Sequence, residues 1–147
     1  MTKYQTCQKV RVTMVKEEGI KYEKVSMPKD AAEISKNVIG NTDRELILVL
    51  CLDAKSQINA VNVVGMGSLT CAVVHPREVF KPAILSNSEK IILVHNHPTG
   101  DTTPGKDDRE TTGKLKKAGE VLGIPLIDSL IIGDNGTYYS FANAREL

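Results

Sequence analysis

Apolar positions along the 147-residue chain fall in short runs whose spacing switches repeatedly between strand and helix periods. Thr6 to Lys16 alternate irregularly and carry several β-branched side chains, which predicts a strand, followed by a turn at Gly19 and a polar stretch to Met27. Pro28-Lys29-Asp30 opens a helix through Ile39, with Ala31, Ile34, Ser35 and Val38 on one stripe and Gly40 as the C-terminal stop. From Glu45 to Leu52 every position after the glutamate is apolar, a run bounded by polar residues and short for a helix, so a buried strand is predicted there. Ile58 to Val64 is its hairpin partner. Gly65-Met66-Gly67 lacks the third glycine and the following helix of a dinucleotide loop and is read as a strand bend. His75-Pro76-Arg77-Glu78 starts a second helix to about Leu85, with proline in its first turn. A strand from Lys90 to His97 and a helix from Lys106 to Leu122 come next. A hairpin of Leu126 to Ile132 with Thr137 to Phe141 turns around Gly133 to Gly136. The alternation predicts the α/β (α+β) class, a single mixed sheet flanked by helices.

Composition narrows the possibilities by exclusion. A chain of this length fits one domain with a real core. Its 19 basic and 18 acidic residues leave a net charge of +1, so no global field favours nucleic acid, an acidic substrate or a membrane surface. Cys7, Cys51 and Cys71 are odd in number, widely spaced and without a C-x-x-C pair, which disfavours disulfides and a cysteine zinc site. No segment has the length of a membrane span or the apolar core of a signal peptide, and a cytoplasmic location is the expectation.

Chemistry concentrates between His95 and Asp108, which read H-N-H-P-T-G-D-T-T-P-G-K-D-D. Side chains at i and i+2 of a strand share a face, so His95 and His97 can approach one ion. Two imidazoles and a carboxylate make a three-ligand zinc set with an open fourth position. Asp101, Asp107 and Asp108 are all candidates for the carboxylate, and a first-turn aspartate is also explained as a helix cap. His75 has no such companion and is expected to cap or pack at its helix start.

From Pro28 to the carboxyl end the chain resembles the RadC-like branch of the JAB/MPN domains that carry the JAMM metalloprotease motif. The resemblance rests on H-P-R-E-V-F at His75 to Phe80, I-I-L-V-H-N-H-P-T-G at Ile91 to Gly100, and the spacing through T-P-G-K-D-D. It implies residues 1–27 as an amino-terminal strand or extension and residues 28–147 as a domain of JAB/MPN, cytidine-deaminase-like architecture. In the JAMM pattern the second histidine is followed by seven residues, a serine, two residues and an aspartate, which assigns Asp108 as the third ligand beside His95 and His97. The family's glutamate heads a core strand, the place of Glu45 here, with Glu78 as the runner-up. The implied function is a zinc-dependent hydrolase of peptide or isopeptide bonds in which Glu45 moves the proton.

Two departures accompany the resemblance. Gly105 stands where the pattern has a serine able to stabilise an oxyanion; Thr102, Thr103, Lys106 or a backbone N–H at the helix start are the substitutes considered. Longer RadC relatives carry an amino-terminal helix-hairpin-helix region, for which the 27 residues before Pro28 are too few. The alternative function is a DNA-repair-associated accessory module that binds nucleic acid. Lys106, Arg109, Lys114, Lys116 and Lys117 share one helix, but Asp107, Asp108, Glu110 and Glu120 interleave with them. A nucleobase deaminase would need H-x-E and P-C-x-x-C, and neither motif is present.

Overall fold

The computed structural model describes residues 4–22, 24–67 and 74–147. Three helices, α1 (Pro28–Ile39), α2 (Pro76–Leu85) and α3 (Lys106–Leu122), accompany five strands, β1 (Leu46–Leu52), β2 (Ile58–Met66), β3 (Lys90–Asn96), β4 (Leu126–Ile132) and β5 (Tyr138–Ser140). The strands form one sheet in the order β2-β1-β3-β4-β5. β1 runs antiparallel to both β2 and β3, β4 is antiparallel to β5, and β3 pairs in parallel with β4. That parallel pair needs a long crossover, which α3 provides. The sheet is therefore mixed and flanked by helices, as the alternation of periods predicted.

Helices cover both faces. Leu48, Leu50 and Leu52 of β1 pack with Ala31, Ala32, Ile34 and Ile39 of α1, whereas Ile47, Val49 and Cys51 pack with Val79, Phe80 and Ala83 of α2 and Leu115 of α3. This double coverage explains why β1 and β3 read as continuous apolar runs with no alternation. Burial pushes the Cys51 thiol up to about 12, offset in part by a hydrogen bond to Ser86, so this thiol is an inert part of the core. Cys7 is exposed. Cys71 lies outside the described residues.

Local punctuation follows backbone chemistry. α3 ends at Gly123 in the left-handed conformation (φ 72°), and the β4–β5 turn places Asn135 and Gly136 at φ 54° and 75°. A bulge between Ile91 and Ile92 pairs Ile91 with Leu126 and Ile92 with Asp128. Asp128 thus lies buried between β4 and the chain end, where it accepts hydrogen bonds from Ser129 N–H (2.7 Å), Ala142 N–H (3.0 Å) and the Ser140 hydroxyl (2.6 Å). No described helix is long and apolar enough to cross a membrane.

One predicted element is absent. Thr6 to Lys16 has irregular backbone, and Val10, Val12 and Val15 are exposed. β-branched content favours a strand only where a neighbouring strand accepts its hydrogen bonds and side chains, and this stretch has no such neighbour among the described residues. Further along, Tyr22 and Val25 join the core beneath α1.

Candidate metal centre

β3 carries the two histidines to the sheet's carboxyl-terminal edge. His95 pairs with Ile47 on one side and Ile131 on the other, which places it among the most buried side chains. The strand ends at Asn96, one residue short of the predicted limit, yet the His97 N–H still bonds to the Ile132 carbonyl at 3.1 Å. His97 therefore stays in register two residues beyond His95, and the rings share a face. Their Nε2 atoms lie 3.2 Å apart.

The carboxylate of Asp108 closes this group from α3. Its Oδ1 is 3.2 Å from His95 Nε2, its Oδ2 is 3.4 Å from His97 Nε2, and Oδ2 also accepts the Gly105 N–H at 2.8 Å. The last bond is one half of a capping box, with Gly105 unable to supply the reciprocal side-chain acceptor. Glu45, immediately before β1, brings Oε1 to 3.8 Å from His97 Nε2. Glu45, His95 and His97 together form a group that could hold a metal ion.

The donor set fits such an ion. A tetrahedral centre with bonds of about 2.0–2.1 Å has edges of roughly 3.3–3.4 Å; the two Nε2 atoms lie 3.2 Å apart, and Asp108 meets them with different oxygens, Oδ1 at 3.2 Å from His95 and Oδ2 at 3.4 Å from His97. The ring of His97 is also oriented for the purpose: its Nδ1 lies 2.7 Å from the Asp101 carbonyl, which can only accept. Neutral His97 therefore carries its proton on Nδ1 and aims the Nε2 lone pair at a carboxylate and a second imidazole.

Burial pushes the His95 ring below the usual imidazole range, and this outweighs its hydrogen bond and attraction to Asp108; the neutral form is the one that ligates metals. For Asp108 burial acts upward, but bonds to His95 and the Gly105 N–H, with the charge of both histidines, hold its carboxyl below the ordinary carboxylate range. His95 Nδ1 is buried without a hydrogen-bond partner.

The other sequence candidates lie apart from this group. Asp101 turns its carboxylate to Thr103, accepting from the Thr103 N–H at 2.9 Å and hydroxyl at 2.7 Å, and Asp107 is exposed on the first turn of α3. Glu78 is paired with Lys81 and Arg77 on α2. His75 caps that helix, its Nδ1 accepting the Arg77 N–H at 3.1 Å. Among the substitutes for the motif serine, the Thr103 hydroxyl is committed to Asp101 and Lys106 pairs with Glu110, which leaves Thr102 and the backbone N–H groups of the first helical turn. On the basic helix face, Arg109 bonds to Glu146 and to the Pro104 carbonyl, both at 3.0 Å.

Sequence reasoning missed Asn96. Lying between the histidines and facing the opposite side of the sheet, it accepts the Leu46 N–H at 2.7 Å and donates to the Arg44 carbonyl at 3.0 Å. It thereby grips both neighbours of Glu45, in place of the backbone ladder that β1 and β3 have left at that point. An amide is the one neutral side chain that donates and accepts at such a spacing.

A family model described as a RadC-like JAB domain matches residues 25–147. A UPF0758 protein of Thermotoga maritima is 45% identical over 105 residues, covering 71% of this chain and 47% of its own length. One from Trichlorobacter lovleyi is 41% identical over 122 residues, with coverages of 83% and 53%, and one from Methanosarcina mazei is 44% identical over 117 residues, with 80% and 51%. The chain spans about half the length of the curated relatives it matches.

Proposed function

We propose, for a chain that belongs to the RadC-like JAB domain family, that this domain is a zinc-dependent hydrolase of peptide or isopeptide bonds. The observation that carries the reading is the convergence of His95 Nε2, His97 Nε2 and the Asp108 carboxylate, within 3.2 to 3.4 Å of one another, with the Glu45 carboxylate beside them. His95, His97 and Asp108 would hold the ion. When bound, zinc supplies Lewis acidity toward a carbonyl and lowers the pKa of water toward about 7.

The chain's own groups do the rest. Glu45, at the mouth of the site and partly exposed, accepts the proton of the attacking water and returns it to the departing amine. Asp108 balances the ion's charge while tying α3 to the strand end. Gly105 offers no hydroxyl to a developing oxyanion. A missing side-chain donor of this kind costs about 10²–10³ in rate, and slow turnover is expected.

Elemental analysis of the purified protein tests the reading. One equivalent of zinc is expected, lost in His95→Ala and His97→Ala, while Glu45→Gln keeps the zinc and abolishes cleavage of a fluorogenic peptide and isopeptide panel. Unchanged metal content in the histidine variants would overturn it.

A further inference from the structure

We propose that Asp101 is a positioning residue for this site: its carboxylate fixes the turn that presents its own main-chain carbonyl to His97 Nδ1, and so decides which ring nitrogen of His97 is left to bind a metal ion. The inference rests on the reading of the site as a metal centre, but it concerns the apo ring as well.

The loop after β3 is fixed on both sides of that carbonyl. Upstream, the His97 carbonyl accepts the Gly100 N–H at 2.9 Å, and Gly100 sits at φ 85° with the Asp134 carboxylate where a Cβ would go. Downstream, Asp101 Oδ1 receives both the N–H and the hydroxyl of Thr103, at 2.9 and 2.7 Å. These two bonds close a turn in three residues, so the peptide between Asp101 and Thr102 cannot rotate without breaking both. That peptide's oxygen is the acceptor 2.7 Å from His97 Nδ1. A free imidazole can place its proton on either nitrogen; a fixed carbonyl at Nδ1 removes the choice. With the proton on Nε2, the ring would turn an N–H toward the site and could not ligate.

Asp101 itself is exposed and its carboxylate bonds to Thr103 and to none of the donor atoms; it acts through the turn it fixes, and the asparagine variant separates that from the attraction of its charge to His97. Replacing groups that orient a metal-binding histidine typically weakens affinity 10–100-fold.

The test uses the full chain with Asp101→Ala, Asp101→Asn and Thr103→Val. Long-range proton–nitrogen NMR of the metal-free protein, above the usual imidazole titration range, reads the His97 tautomer, and competition with a chelating dye reads zinc affinity. The wild-type ring is expected as the Nδ1–H tautomer. Asp101→Ala should mix the tautomers and weaken zinc binding about 10–100-fold. Asp101→Asn keeps an acceptor oxygen and should restore both readouts, and Thr103→Val should fall between. Wild-type tautomer and affinity in Asp101→Ala would overturn the proposal, as would Asp101→Asn failing like alanine. If the wild-type protein binds no zinc, the functional reading falls while the tautomer still decides this one.

Discussion

Replacing Asn96 by alanine perturbs a single amide that holds two backbone groups. The residue is 8% exposed, and loss of its amide strips the Leu46 N–H and the Arg44 carbonyl of partners at 2.7 and 3.0 Å. Each intramolecular hydrogen bond contributes about 1 kcal/mol net, and a polar group left dry costs about 1–3 kcal/mol. Together these place the loss at about 2–4 kcal/mol, or roughly 5–15 °C in melting temperature for a domain of this size. Urea unfolding followed by circular dichroism measures it, with an unchanged slope confirming that only stability has moved. Asn96→Asp serves as the control: it keeps an acceptor for the Leu46 N–H but opposes an oxygen to the Arg44 carbonyl, so it should remain impaired. The histidines are held independently, His97 by the Ile132 and Asp101 carbonyls, so zinc stoichiometry should survive while Glu45 loses its anchor. A stability change under about 0.5 kcal/mol, the range of inconsequential surface substitutions, would refute the view that Asn96 replaces the missing ladder.

Gly119→Ala adds a Cβ at 2.5 Å from the Ile124 carbonyl and 3.3 Å from Phe80 Cζ. Despite alanine's better helix propensity, overpacking of about 1–3 kcal/mol should lower the urea midpoint; a raised midpoint would contradict the close approach of α3 to the start of β4. For Asp128, burial pushes the carboxyl above its ordinary value of 3.8, against hydrogen bonds from Ser140, Ala142, Ser129 and Phe141 that pull it down. An acid whose folded pKa is raised contributes its full stability below the unfolded pKa and loses it as pH rises through the folded one. The stability difference between wild type and Asp128→Asn should therefore drift against the wild type as pH increases from 3.8 through that higher value, and a flat difference across this window would remove the assignment.

Much of this architecture was legible because the local signals agree with each other. α1 begins at Pro28 and stops before Gly40, and α3 runs from Lys106 to Gly123, because proline, first-turn aspartates and left-handed glycines act within a few residues of where they stand. β1 and β3 were legible for the opposite reason: burial on both faces makes every position apolar. Thr6 to Lys16 was misread, since a strand's stability is tertiary and no local feature announces the missing neighbour. At the site, the i, i+2 spacing located the histidines, but choosing among Asp101, Asp107 and Asp108 depends on how α3 leaves its loop, and spacing alone left that open. Asn96 was invisible because its role is a contact with Arg44 and Leu46, about fifty positions upstream.

Asp108 joins two parts of the molecule that open on different occasions. Through Oδ2 it secures the Gly105 N–H at the start of α3, and through both oxygens it faces the histidines at the end of the sheet. Fraying of the first helical turn and departure of the carboxylate from the histidines are consequently one event. An ion that binds only the closed arrangement must slow amide hydrogen exchange at Gly105, whose N–H is held by Asp108, and at Arg109, whose N–H bonds to the Gly105 carbonyl at 3.2 Å. The helix start thus reports occupancy, and the site is only as long-lived as the turn that carries its carboxylate.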